Sequence, residues 1–288
     1  MRRRLALIAI LLLATAGSMV AQTPTPAPAR PASGGSLFIV GGGPRPADLM
    51  RRFVELAGGP DSAVILVLPM ASADTSAGPS LVRELEGLGA RARFAVIRRA
   101  EADGDAALVH LQGVTGIWFN GGVQSRLTDA LGGTRFEQGM HEAFRRGIVI
   151  GGTSAGAAVM SAVMITGEER RPGGARPVDD DNWLTIEAGN VVTSQGFGFL
   201  TNAIVDQHFL RRKRYGRLLS LAIDHPTLIG VGIDEGTALE VAPNGRWTVR
   251  GMGKVLVVDP RQAVRDRAAG TFRGAALSVL KDGDVFVP

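Results

Sequence analysis

The chain has no cysteine, a single tyrosine and four histidines among its 288 residues. Without thiols it forms no disulfide, no Cys-ligated zinc or iron-sulfur site and no thiolate nucleophile. A covalent catalyst in this chain would have to be Ser, Thr, Lys or a carboxylate. Metal signatures are missing as well: there is no HExxH, no histidine cluster and no EF-hand loop, so no metal is expected. The glycine clusters lack a Walker lysine and the full G-x-G-x-x-G context, which removes the reason to expect a nucleotide or any other cofactor. Charge of one sign is also scarce. Lys+Arg number 32 against 27 Asp+Glu, and three of the cations, Arg2, Arg3 and Arg4, open a segment that reads as removable. So mild an excess gives no reason to expect nucleic acid as a partner. What is abundant is glycine, with 39 residues, roughly twice the usual share.

Residues 1–21 have the layout of a secretory signal peptide: an arginine start, the apolar run LALIAILLLA and then small residues. Ala14-Thr15-Ala16 best fits the small-x-small cleavage rule. The apolar run is short of the ~20 residues needed to span a bilayer, and no cysteine follows it to carry a lipid. The expectation is export to the periplasm or the medium, with no stable membrane anchor after cleavage. Residues 22–35, QTPTPAPARPASGG, form a proline-rich spacer that denies the backbone helix and sheet hydrogen bonds. Residues 36–288 are expected to make one α/β domain.

From Ser36 the chain alternates apolar, β-rich runs (SLFIVGGG, AVILVLPMAS, RFAVI, GIWFNGG, GIVIGGTSAG) with helical stretches such as ADLMRRFVELAG and TRFEQGMHEAFRRG. Continuous rather than alternating apolar runs mark strands covered on both faces. The order predicts a doubly wound α/β fold with a mostly parallel sheet. Reacting groups in such a sheet gather beyond the carboxyl ends of the strands, and three of these strands end in glycines: Gly41 to Gly43, Gly121-Gly122 and Gly151-Gly152. Further on, RPGGARPVDDDNWL reads as a long loop whose Asp179, Asp180 and Asp181 are an ordinary solvated acidic run or a contact for guanidinium groups. VVTSQGFGFL and LIGVGIDEGTALEVA read as strands, and RWTVRG, KVLVVD, ALSVL and DVFVP as short antiparallel strands capping the sheet.

Strand GIVI runs into Gly152-Thr153-Ser154-Ala155-Gly156 and then into AAVMSAV, read as a helix. This is G-x-S-x-G in the strand–turn–helix setting that gives it meaning. Ser154 is the expected nucleophile. The amide of Ala155 is placed to donate to an oxyanion, with Gly122 expected to offer a second donor. A serine needs a base. His110 and His141 lie in helical stretches before the serine and His225 in a turn before Pro226, which leaves His208, at a strand end after the elbow.

Taken together, GTSAGAAVM, VDQHFLRRKRYGRLL, GVGIDEGTALEV and N-G-G-x-Q-x-R-L from Asn120 to Leu127 resemble the cyanophycinase group of peptidase family S51. Aspartyl dipeptidases of the peptidase E type belong to the same family. The resemblance runs from Ser36 to about Asp259. It implies a fold similar to class I glutamine amidotransferases, with serine where those enzymes carry cysteine, and hydrolysis of aspartate-rich peptides. The type substrate is cyanophycin, a poly-aspartate backbone bearing arginine on each β-carboxyl, which is cut to β-aspartyl-arginine dipeptides. By the same resemblance Gln124, Asp206, Gln207, Arg212, Arg214 and Arg217 match substrate-pocket positions, and relatives suggest a homodimer. Planar guanidinium forks on those arginines suit aspartyl carboxylates. For the third member of the triad, family spacing points to Glu169, then Glu168, with Glu235 in GIDEG as the rival. An export leader does not suit an enzyme that mobilises a cytoplasmic store, whereas it suits a scavenger. An α/β-hydrolase esterase is disfavoured because its histidine comes late in the chain, and none follows His225. A non-catalytic peptide binder has no reason to keep both Ser154 and His208.

Overall fold

The computed structural model describes residues 34–171, 173–177, 183 and 185–288. The leader, nearly all of the spacer, and Asp179 to Asp181 lie outside the described residues. The chain runs β1 (Ser36–Val40), α1 (Ala47–Leu56), β2 (Val64–Leu68), α2 (Ala77–Gly87), β3 (Arg91–Phe94), α3 (Asp105–Leu108), β4 (Gly116–Phe119), α4 (Gln124–Leu131), α5 (Arg135–Arg145), β5 (Val149–Thr153) and α6 (Ala155–Ala158). It continues as β6 (Val163–Arg171), β7 (Gly174–Pro177), β8 (Val191–Gln195), β9 (Ala203–Asp206), α7 (Tyr215–Asp224), β10 (Ile229–Ile233), β11 (Thr237–Val241) and β12 (Trp247–Gly251). It ends with β13 (Val255–Asp259), β14 (Val264–Asp266), β15 (Thr271–Arg273), β16 (Ala276–Leu280) and β17 (Val285–Phe286).

The main sheet has the order β17-β12-β11-β1-β5-β4-β2-β3. Its half from β1 to β3 is parallel, whereas β11, β12 and β17 extend it in antiparallel sense. Because side chains alternate along a strand, β1 feeds two cores. Phe38 and Val40 pack with Phe53 and Val54 of α1, Leu81 and Leu85 of α2, and Trp118. Leu37 and Ile39 face the opposite core, with Leu127 of α4, Phe136 and Met140 of α5, and Val205, Val231 and Val257 of a second sheet. Both faces are thus covered, as the continuous apolar runs require. The second sheet has the order β16-β13-β10-β9, and β6 lies between β7 and β8 in a separate three-stranded sheet.

Four sequence expectations change. The C-terminal strands do not merely cap the parallel sheet: β11, β12 and β17 enlarge it, and β13 and β16 build the second sheet. The run LIGVGIDEGTALEVA is two strands in two sheets, β10 and β11, broken at residues 234–236. The helix expected after the elbow is a single turn, α6, because the chain swings away at Ser161, which bridges to Leu200, and enters β6. Part of the expected loop RPGGARPVDDDNWL is strand, since Gly174–Pro177 pairs with β6.

Candidate active site

The carboxyl end of β5 delivers Ser154 at a sharp corner. Its backbone has φ 54 and ψ −111, a conformation that costs a non-glycine residue free energy and persists only where its surroundings enforce it. The Ser154 amide donates to Val40 O at 3.0 Å, which ties the corner to the end of β1. Gly156 is required because α6 crosses the end of β4: a Cβ there would lie 2.2 Å from Phe119 O. Ala155 is the first residue of α6, so its amide has no acceptor within the helix. Gly122 sits in the turn between β4 and α4, next to Val123, whose amide donates to Ala71 O at 2.9 Å.

His208 follows β9 and is 8% exposed, with φ +48. Its amide donates to Gly41 O at 2.6 Å. Gly42, at φ +108, leaves the imidazole its space, because a Cβ there would lie 2.4 Å from Nε2. Nε2 lies 2.8 Å from Ser154 Oγ, and Nδ1 lies 2.6 Å from Glu235 Oε1. A carboxylate only accepts, so Nδ1 carries the proton and Nε2 is free to accept from the serine hydroxyl. Burial holds the imidazole below the ordinary histidine pKa. The hydrogen bond that Nδ1 donates to Glu235 opposes that shift, and the nearby Arg212 and Arg214 cations add to it.

The residue against His208 is therefore Glu235, the rival in the sequence reading, and not Glu169 or Glu168. The preferred pair lies on β6, which peels away into the three-stranded sheet. Buried Glu169 accepts there from Arg171 Nε and, at 3.2 Å, from Thr185 Oγ1. Glu235 reaches the histidine because β11 pairs antiparallel with β1, bringing the β10–β11 turn back over the end of β1. Gly236 N donates to Gly42 O at 3.0 Å, and Phe209 N to Ile233 O at 3.2 Å. Asp234 accepts from the amides of Leu210 and Arg211 at 3.1 and 3.0 Å. One acidic dipeptide thus holds both the segment after the histidine and the histidine ring.

The pocket residues of the resemblance form a second cluster. Asp206 is fully buried and takes Arg217 in a two-point ion pair, Nε to Oδ2 at 2.8 Å and the Arg217 terminal nitrogen to Oδ1. Arg214 donates to both Gln207 O and Gln207 Oε1, at 2.8 and 2.7 Å. These two guanidiniums are thus engaged by protein acceptors, where the sequence reading has them holding substrate carboxylates; Arg212 is half-buried. Gln124, 7% exposed, spends its amide nitrogen on Ile165 O and Thr166 O, tying α4 to β6. Of the remaining histidines, His141 bonds Phe197 O at 2.8 Å and stacks on Phe199. His225 follows α7. A cavity of about 400 Å³ opens on Ser154 and His208 and is also lined by Arg45, Glu84 and Asn120. Sequence reasoning gave Arg45 and Glu84 no role, because neither belongs to a recognisable motif. Among the described residues no group of His, Asp and Glu is placed to hold a metal ion.

The sequence matches the profile of Peptidase family S51 over residues 37–246. A cyanophycinase from Synechococcus elongatus is 33% identical over 266 residues, covering 88% of this chain and 79% of that protein. A cyanophycinase from Trichormus variabilis is 32% identical over 250 residues, covering 83% and 80%. Among solved structures, a peptidase from an acI-B1 Actinobacterium superposes with a TM-score of 0.64 at 24% identity, over 89% of this chain and 98% of that one.

Proposed function

The chain belongs to peptidase family S51 and is a serine-type peptidase, and we propose that it hydrolyses peptides with an aspartyl backbone, cyanophycin first among them, through an acyl-enzyme on Ser154. The observation that carries this reading is the hydrogen-bonded chain from Ser154 Oγ through His208 to Glu235 at a strained corner ending β5. In the proposed cycle His208 Nε2 takes the hydroxyl proton as Oγ adds to the scissile carbonyl, and Glu235 stabilises the imidazolium that forms. The amides of Ala155 and Gly122 receive the oxyanion. The imidazolium then gives its proton to the leaving amine. Water, activated by the same histidine, releases the acyl group. A neutral imidazole is what the first step needs, and burial favours it. The Asp206–Arg217 pair and the Gln207–Arg214 contacts form a buried polar cluster next to His208 in the chain.

Similarity to cyanophycinases supports the choice of substrate. The test is to incubate the protein with cyanophycin and with α- and β-aspartyl dipeptides, and to follow release of free amines. Release of β-aspartyl-arginine from the polymer is expected. Cleavage of dipeptides with the polymer left intact would move the protein to an aspartyl or isoaspartyl peptidase. The reading includes export, resting on the layout of residues 1–21. N-terminal sequencing of the protein produced in cells is expected to start at or shortly after Gly17 in the fraction outside the cytoplasm, and its confinement to the cytoplasm with an intact Met1 terminus would overturn export. Among the described residues no helix is long and apolar enough to cross a membrane.

A further inference from the structure

We propose that Arg45 and Glu84 form a charge-reading subsite beside the nucleophile, in which Glu84 takes a cationic side chain of the substrate and Arg45 takes a carboxylate. The proposal rests on the serine-peptidase reading of Ser154 and adds a recognition surface to it. Arg45 lies on the loop after β1 and Glu84 on α2, and both line the cavity that opens on Ser154 and His208. Apart from the histidine they are the charged residues of that lining, and none of Asp206, Gln207, Arg212, Arg214 and Arg217 belongs to it. Arg45 and Glu84 meet at 2.8 Å, with their side chains 27% and 34% exposed.

The details of this wall distinguish it from an ordinary surface ion pair. Arg45 Nε is buried without a hydrogen-bond partner, as is Asn120 Oδ1. Asn120 is only 8% exposed, and its amide nitrogen donates to Ala77 O at 3.3 Å. Because a carbonyl only accepts, that contact fixes which end of the Asn120 amide is left without a partner. A buried polar atom without a partner costs free energy, so a ligand that brings an acceptor to Arg45 Nε or a donor to Asn120 Oδ1 gains from this wall. α2 does not need the ion pair to stay in place, since Leu81 and Leu85 anchor it in the core. A partly exposed ion pair contributes little by itself and exchanges partners readily. A substrate carrying both a guanidinium and a carboxylate offers each member a new partner, so two charge contacts replace one. Turning Arg45 toward a carboxylate in the cavity also gives its Nε an acceptor in the forked geometry guanidinium favours.

The test uses Ser154→Ala protein, which binds without turnover, titrated calorimetrically with β-aspartyl-arginine and with β-aspartyl-citrulline. Citrulline keeps the shape of arginine and removes its charge. The arginine dipeptide is expected to bind about tenfold more tightly, the effect of one charge-assisted hydrogen bond. Adding Glu84→Gln should abolish that preference, and adding Arg45→Gln should weaken both dipeptides to a similar extent. A preference that survives Glu84→Gln, an equal loss on both dipeptides from Glu84→Gln, or no binding of either dipeptide overturns the subsite. Labelling of the wild-type protein at Ser154 by a fluorophosphonate scores the serine-peptidase reading separately. A labelled enzyme without charge preference defeats the subsite alone, and an unlabelled one defeats the nucleophile.

Discussion

Ser154, His208 and Glu235 are joined by two hydrogen bonds, and residues that act as such a unit give strongly non-additive losses when removed singly. Ser154→Ala and His208→Ala are each expected to lower kcat by several orders of magnitude without unfolding the chain, and Glu235→Gln by about 10⁴-fold, as for loss of the orienting acid in other triads. Glu169→Gln should leave kcat per folded molecule unchanged, because Glu169 bonds Arg171 and Thr185 instead. A steady-state comparison of the two glutamine variants decides between the acids. The pH profile follows from the same contacts. The base must be neutral, and burial lowers its pKa, so kcat/KM should rise with a midpoint below the ordinary histidine value. Arg212 disfavours the imidazolium and Glu235 favours it. Arg212→Gln therefore moves the midpoint to higher pH and Glu235→Gln to lower pH. The profile is measured on a small activated ester, so that recognition of the substrate does not contribute, and a midpoint unmoved by Arg212→Gln contradicts the assignment. At this scale the sequence singles out Ser154 and His208, whose types and settings are restrictive, and the fold brings the two into contact. It leaves the acid open among Glu169, Glu168 and Glu235, since many turns can carry a glutamate and only the fold decides which one meets the histidine.

Among the elements, the join between β9 and α7 holds a deeply buried group of charges. Asp206, fully buried at the end of β9, neutralises Arg217 of α7, and Arg214 stands 3.9 Å from the same carboxylate. Taking one partner from a buried pair leaves the other charge uncompensated, at about 3–5 kcal/mol. Asp206→Ala should lower stability by that amount in denaturant titration. Arg217→Lys should lose activity on the polymer more through this disorder than through a lost substrate contact, a difference visible as a matching loss on the ester. The arginine run following His208 is legible in the sequence. Its use is not, because acceptors that engage it lie upstream, at Asp206 ending β9 and Gln207 just after it. The strands are similarly uneven. β1, β2, β4 and β5 stand out as continuous apolar runs, but the apolar stretch from Leu228 to Ala242 hides a change of sheet. Only the Asp234-Glu235-Gly236 turn marks it, and a polar turn looks the same whether it reverses a hairpin or passes a strand to another layer.

The whole molecule extends beyond the segment that carries the family signature. The family match ends at residue 246, yet Trp247 is 1% exposed and β12 pairs along β11 from Thr237 to Val241. β13, also beyond the match, pairs along β10. A chain ending at Arg246 leaves both strands flanking Glu235 with an open edge and is expected to lack the cooperative unfolding transition of the full chain, with no hydrolytic activity. Thermal unfolding followed by circular dichroism checks this, and a cooperative, active fragment would contradict it. The C-terminal strands escaped a full reading from sequence because they are short and their partners are distant along the chain. β1 shows the same arrangement at the centre: one side pairs with β5 and the other with β11, so it waits on segments made much later. Synthesis runs from the N-terminus, at about 5–20 residues per second, and distant pairings form slowly. Under the proposed mechanism Ser154 therefore leaves the ribosome well before the carboxylate that arms it, and hydrolysis is expected only once β11 docks on β1.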